Sequence, residues 1–78
     1  MSIISNKTSR QRLSDHFKRL YKDAGLTQQQ VAERLGMTQA CVSDLATGKT
    51  PWGIDRLVCV SKVFGIHVAD FVRVALQE

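Results

Sequence analysis

The 78-residue sequence contains only two cysteines, one proline and five glycines, and each scarcity excludes a class of protein. Cys41 and Cys59 do not occur in a CxxC motif and are too few for a disulfide framework. Together with His16 and His67 they fit no known zinc-site spacing, so we predict neither a metal nor a cofactor. With so little glycine and proline there is no linker, and a chain of this length forms one domain.

Long apolar runs and strand-like alternation are also missing. The uncharged run 35–43 is too short and too polar to cross a bilayer, which takes about 20 apolar residues. The N-terminus lacks the features of a secretory signal, so we expect a cytoplasmic protein with no membrane partner. Ser61 has no base near it in the sequence, and nothing resembles a catalytic nucleophile, so we expect no enzyme.

The net charge of +4 is concentrated at one end of the chain. Residues 1–23 carry six basic and two acidic side chains, whereas residues 24–78 carry five of each. A basic surface suits a polyanion, because neutralised phosphates release their condensed counterions. Solvated basic helices are also common, so charge alone does not select nucleic acid as the partner.

Capping residues and apolar periodicity divide the chain into five helices and no strands. Thr8 with Gln11, and Thr27 with Gln30, match the capping-box pattern that begins a helix. Four glycines stand where predicted helices end. We predict a flexible basic arm over residues 1–8 and one domain over 9–78. The helices are expected at about 9–24, 28–35, 39–46, 54–64 and 68–76.

Apolar spacing also predicts which side chains are buried. His16 is expected at the surface. Residues three and four apart share one side of a helix. On the fourth helix we expect the side that faces the core to contain Ile54, Leu57, Val60, Ser61 and Phe64.

The second and third predicted helices are very short and are joined by the turn Gly-Met-Thr, residues 36–38. Helices of this length are marginal alone in water, so the rest of the core must hold them at a fixed angle. Residues 28–46 therefore match helix-turn-helix geometry, in which the second helix is presented to the major groove of DNA.

A family resemblance is carried by residues 26–49, which read LTQQQVAERLGMTQACVSDLATGK. The stretch resembles the phage lambda repressor/Cro-like (XRE) helix-turn-helix family, and the similarity extends over roughly residues 13–72. It implies an all-α, five-helix lambda-repressor-like domain. It further implies a transcriptional regulator, a repressor or autoregulator, that binds a palindromic operator in double-stranded DNA as a homodimer.

The resemblance implies roles for individual residues. Four positions match residues that face base edges: Gln39, Ala40, Ser43 and Asp44. Gln28, Lys49 and Thr50 match positions that meet the DNA backbone. To these we add as expected phosphate contacts Thr38 and Cys41, because helix N-termini bind phosphate, and Arg10 from the basic N-terminal region.

The residues themselves leave alternatives open at three of these positions. Gln39 can pair with adenine N6 and N7 or simply face solvent. Asp44 can accept from cytosine N4, repel wrong sites, or lie at the edge of the groove. Cys41 is either a redox switch near a helix N-terminus or an inert small side chain.

Two departures from the family occur together. Many members have an arginine at the position of Tyr21 and a glutamate at that of Ala46, which form an ion pair between helices 1 and 3. Replacing both charges by packed groups can be neutral for stability, whereas replacing one strands a charge. We therefore predict that the Tyr21 ring packs near Ala46.

The fifth helix has more apolar residues than docking requires. Val68 and Val72, with Phe71, are enough to hold it on the core. An apolar surface at the end of a chain favours a partner, and symmetric dimers are the commonest assemblies. The alternative is that the helix wraps onto its own core. We expect the dimer interface to contain Phe71, Val74, Ala75 and Leu76.

Other partners and a rival function remain open at this point. RNA polymerase and a small protein are further candidate partners, and when bound to DNA the protein would be nucleoid-associated. The chain stops at residue 78, so we expect no effector domain. The arm, with Ile3 and Ile4, either follows DNA or packs on a neighbour. The rival is a protein-interaction module that kept the fold, which would explain Ala40 and Asp44.

Overall fold

Five helices account for most of residues 7–77, the part of the chain that the computed structural model describes. No strand occurs within these residues, as the sequence predicts. Only Lys7 and Thr8 of the expected arm are described, and the alternatives for Ile3 and Ile4 lie outside the described residues. The helices are α1 (Ser9–Asp23), α2 (Gln28–Leu35), α3 (Gln39–Thr47), α4 (Ile54–Phe64) and α5 (Val68–Gln77).

Side-chain caps begin the first three helices. Thr8 Oγ1 accepts from the Gln11 amide at 3.2 Å, and Gln11 Oε1 accepts in return from the Thr8 amide at 3.1 Å. Thr27 and Gln30 form the same reciprocal pair, so both predicted capping boxes are confirmed. Each cap satisfies helix-end amides that have no partner within the helix and contributes about 1 kcal/mol.

A left-handed glycine makes the corner between α2 and α3. Gly36 has φ +71°, and the following Met37 amide donates to the Ala32 carbonyl at 3.0 Å. A residue with a Cβ atom is strained in this conformation, so glycine lets α2 stop after two turns and α3 leave in a new direction.

Aromatic rings around Phe17 form the centre of the core. Phe17 is fully buried, and its ring centroid lies 5.3 Å from Tyr21, 5.4 Å from Trp52 and 6.4 Å from Phe64, each in an edge-to-face arrangement. Such pairs contribute about 0.5–1.5 kcal/mol each beyond the burial of their area. Around this cluster α1 packs against α3 and α5, while α2 packs against α3 and α4.

Two expectations about burial are wrong. His16 is only 9% exposed, because its ring packs on Phe71 of α5 at a centroid distance of 5.3 Å. Ile54 is 66% exposed, because it is the first residue of α4 and lies beyond the edge of the core. Apolar spacing predicts which side of a helix faces the core. It does not predict how far along that helix the packed neighbouring helices extend.

The expected dimer surface on α5 is only partly accessible. Phe71 and Ala75 are buried in the subunit's own core, since α5 packs on both α1 and α4, so the folded subunit presents almost none of their surface to a second copy. Val74 is half-buried and Leu76 is 41% exposed, so only these two of the four expected residues present apolar surface. Nowhere in residues 7–77 is a helix both long and apolar enough to cross a membrane.

The two buried serines are in opposite situations. Ser14 Oγ accepts a hydrogen bond from Trp52 Nε1 at 2.9 Å, which joins α1 to the loop before α4. Ser61 Oγ, equally buried in α4, has no hydrogen-bond partner among the described residues. A buried hydroxyl without a partner lowers stability, whereas loss of an acceptor leaves its donor unsatisfied.

We therefore expect Ser61→Ala to raise the free energy of unfolding by about 1 kcal/mol. For a domain of this size that change corresponds to a rise in melting temperature of about 4–8 °C. Ser14→Ala is the matched control, and it should lower stability by about 1 kcal/mol, because Trp52 loses its acceptor. Thermal and urea unfolding followed by circular dichroism measure both. Equal effects of the two substitutions would contradict this account.

Candidate nucleic-acid interface

Helix α3 has one side in the core and the other at the surface. Val42, Leu45 and Ala46 are almost completely buried. Gln39 and Ala40 at its start are exposed, and Ser43 and Asp44 are half-buried. The four residues expected to face base edges thus all retain accessible surface, with the most exposed pair at the N-terminal end. An exposed N-terminal end is what a helix needs to reach base edges in a groove.

A tight turn follows α3 and positions the next two expected contacts. Gly48 ends the helix with φ +82°, and the Asp44 carbonyl accepts from the amides of Lys49 at 2.9 Å and Thr50 at 3.4 Å. Lys49 is exposed and Thr50 is half-buried. The turn fixes the place where the Lys49 side chain leaves the domain.

Arg10 lies beside this turn, although it is 38 residues away in the sequence. Its Nη1 donates to the Gly48 carbonyl at 3.4 Å. The structure therefore brings together Arg10 and the Lys49 turn, two expected phosphate contacts from opposite parts of the domain. Two exposed cations at one edge of α3 suit a phosphate group of the DNA backbone.

The backbone amides at the helix starts are already partly used. The amide of Cys41 donates to Thr38 Oγ1 at 3.1 Å, so both of these expected phosphate contacts take part in the cap of α3. The cap uses the amide of the third residue, and the first two amides of α3 have no acceptor within the helix. These amides carry the partial positive charge of the helix end.

The side chain of Gln28, the first residue of α2, is held by Tyr21 of α1. Gln28 Nε2 donates to Tyr21 Oη at 3.3 Å, and Tyr21 is 4% exposed. Tyr21 and Ala46 both belong to the buried core, and packing of the ring near Ala46 stays a prediction. No sequence pattern indicated the Tyr21–Gln28 hydrogen bond, because the two side chains meet only when α1 and α2 turn back on each other.

A groove of about 290 Å³ between α1 and the end of α3 was not expected from the sequence. Lys7 and Asp15 form an ion pair at 2.6 Å on its wall. Lys18 and Thr47 line this groove, and the seven-residue spacing of Gln11 and Lys18 is the signal that could have placed these two on one face of α1. The groove is lined by Lys7, Gln11, Ser14, Asp15, Lys18, Ala46 and Thr47.

The described residues offer nothing that resembles a metal centre. Between residues 7 and 77 there is no group of three or more His, Cys, Asp or Glu side chains that could hold a metal ion. Cys41 and Cys59 are both half-buried free thiols. The chemistry of the surface around α3 is that of amides, hydroxyls and cations.

A family model described as helix-turn-helix matches residues 17–71, which is well over half of the chain. The chain belongs to the helix-turn-helix family of DNA-binding transcription regulators. The XRE-type resemblance carried by residues 26–49 is thereby confirmed. No curated protein matches the sequence significantly.

Solved structures of similar fold are also known. The clp gene regulator ClgR from Corynebacterium glutamicum superposes with a TM-score of 0.83 at 24% identity, covering 92% of this chain and 94% of that one. A point mutant of the restriction-modification controller protein C.Esp1396I gives 0.78 at 17% identity, covering 88% of this chain and 92% of that one. At these identities the likeness shows the fold, and the five-helix lambda-repressor-like architecture is confirmed.

The burial of Ala46 generates a prediction about the missing ion pair. Ala46 is 1% exposed, so Ala46→Glu places a carboxylate in the core, where Tyr21 offers no positive charge to pair with it. We expect it to lower the free energy of unfolding by about 2–3 kcal/mol, since Lys18 in the adjoining groove offsets only part of the desolvation. Thermal unfolding measures the change.

Ala40→Glu is the matched control, because it adds the same side chain to an exposed position in the first turn of the same helix. An acidic residue there is favoured by the helix dipole, so the melting temperature should hardly move. An unchanged melting temperature for Ala46→Glu itself would show that the site accepts a charge and would contradict the predicted packing.

Proposed function

We propose that the protein is a sequence-specific repressor or autoregulator that binds a palindromic operator as a homodimer, with α3 in the major groove. One observation supports this most strongly: three core residues anchor one side of α3, while the start of the opposite side is exposed. A nine-residue helix held rigidly from behind keeps its outer side chains in place before DNA arrives. Preorganisation of this kind lowers the entropy lost on binding.

Base recognition is assigned to the exposed end of α3. Gln39 is its first helical residue, and its amide can donate to and accept from one adenine edge. Ser43, one turn later, offers a hydroxyl, and Ala40 offers a methyl group that suits thymine. Asp44 contributes by accepting from cytosine N4 or by repelling sites that bring a phosphate close.

Backbone anchoring is assigned to both flanks of α3. Gln28 and the first amides of α2 form one anchor, and Arg10 with Lys49, beside the Gly48 turn that ends α3, forms the other. Phosphate contacts of this kind fix the register of a protein on the duplex without carrying sequence information. Thr38, Cys41 and Thr50 are supporting contacts at the two ends of α3.

Dimerisation is assigned to the exposed apolar residues of α5. Leu76 is the most exposed large apolar side chain of this helix, whereas the half-buried Val74, two residues before it, lies on a different side of the helix. A symmetric pair would place two α3 helices about one turn of DNA apart, roughly 34 Å, which matches a palindromic site. A dimer bound across a promoter would compete with RNA polymerase, which accounts for repression.

Selection of bound duplexes from a random DNA pool tests this proposal. The expected result is an inverted repeat, bound with an affinity that falls with salt at a log–log slope of about −0.9 for each neutralised phosphate. Failure to enrich any sequence, together with a slope near zero, would support a protein-interaction module instead.

Gln39 and Lys49 should affect DNA binding differently. We expect Gln39→Ala to lose about 1–3 kcal/mol of preference at one base pair of each half-site, because a base-edge pairing is removed. Lys49→Ala should weaken binding to every sequence and reduce the salt slope by about 0.9 per subunit, because one phosphate contact is removed. Fluorescence anisotropy with matched and mismatched duplexes separates the two; a uniform loss for Gln39→Ala would contradict base recognition.

The assignment of α5 makes a prediction about assembly. Leu76→Glu should convert the dimer into a monomer in sedimentation equilibrium at micromolar concentration, because a charge enters an apolar contact. Gln77→Glu, which adds the same charge at the neighbouring exposed position, is the control and should leave the dimer intact. Leu76→Glu should still unfold cooperatively, as a folded monomer does, and a dimer that survives Leu76→Glu would move the interface elsewhere.

A further inference from the structure

Tyr21 lies at the point where α1, the α1–α2 turn and the start of α2 meet. Its main-chain carbonyl accepts from the Leu26 amide at 2.9 Å, which closes the turn. Its hydroxyl, at the other end of the residue, accepts from Gln28 Nε2 at 3.3 Å. One buried residue therefore fixes both the path of the turn and the direction of the Gln28 side chain.

The Tyr21 ring cannot follow movements of Gln28. It is 4% exposed and packs edge-to-face on the fully buried Phe17 ring, with an interplanar angle of 71°. The acceptor that meets the Gln28 amide is thus attached to a ring that is buried and packed in the core. Gln28, by contrast, is half-buried at the first position of α2, where a glutamine is otherwise mobile.

The hydrogen-bonding capacity of a glutamine amide gives this contact a consequence for DNA binding. The amide nitrogen carries two hydrogens. One is donated to Tyr21, and the other remains available to a phosphate oxygen at the helix start, beside the first amides of α2. The contact with Tyr21 Oη thus holds the Gln28 amide at the start of α2 and still leaves it a hydrogen to donate.

We propose that Tyr21 is a positioning residue for DNA binding: its hydroxyl holds the Gln28 side chain at the start of α2, where the remaining amide hydrogen can meet the DNA backbone. This inference rests on the proposed function, since it assumes that Gln28 meets a phosphate. It adds a residue of α1 that does not itself touch DNA. The gain comes from ordering a flexible side chain before the duplex arrives.

Tyr21→Phe is the variant that tests the role, because it removes the hydroxyl and keeps the ring on Phe17. The probe is a mixed-sequence duplex of about 30 base pairs, long enough for two half-sites one turn apart. We expect roughly threefold to tenfold weaker binding, the range for one hydrogen bond. Gln28→Ala should weaken binding at least as much, and Gln29→Ala, at the next and exposed position, is the matched control.

A double-mutant cycle separates positioning from a general loss of structure. In the Gln28→Ala background, Tyr21→Phe should change the affinity by less than about twofold, because there is no longer an amide to orient. An undiminished effect in that background would mean that Tyr21 acts through the fold, and the proposal would be overturned.

Nuclear magnetic resonance gives a readout independent of DNA. In the free protein, Tyr21→Phe should shift the side-chain amide signals of Gln28 and leave those of Gln29 in place. Unshifted Gln28 signals would overturn the positioning role even if the protein binds DNA. If Gln28→Ala binds the duplex as tightly as the wild type, the proposed phosphate contact fails, and the positioning role fails with it.

Discussion

The burial of Val42, Leu45 and Ala46 is the constraint on which the rest of the structure depends. A nine-residue helix is marginal in water, and α3 persists because these three side chains lie in the core formed by α1 and α2. The same nine residues must also present Gln39 and Ser43 outward. Each turn of α3 therefore packs in the core on one side and faces the surface on the other. Few substitutions are tolerated on either side of the helix.

Much of this arrangement could be predicted from local chemistry. The capping boxes at Thr8 and Thr27 each depend on two residues that are three apart in the chain. The corner at Gly36 depends on the left-handed backbone conformation of that one residue. Helix starts and ends were therefore predicted to within a residue or two. The four outward positions of α3 followed from the family register, and their roles in base contact stay predictions.

What could not be predicted depends on helices that are far apart in sequence. His16 is buried because α5 crosses it, Phe71 and Ala75 are core residues for the same reason, and Tyr21 meets Gln28 because of the angle at the α1–α2 turn. Periodicity describes one helix at a time and contains no information about which partner covers which turn. The same holds for the charges. The sequence shows that the first 23 residues are basic, but it does not show that Arg10 contacts the Gly48 turn.

The hydrogen bonds from Arg10 to Gly48 and from Trp52 to Ser14 both span 38 residues. On the ribosome, α1 therefore emerges about two to eight seconds before the residues that cover it, at ordinary rates of synthesis. During that interval Phe17 lacks the Trp52 and Phe64 rings that pack on it in the folded domain. The packing of α1 is completed only after α5 has been made, because α5 supplies the Phe71 ring against which His16 and Trp52 pack.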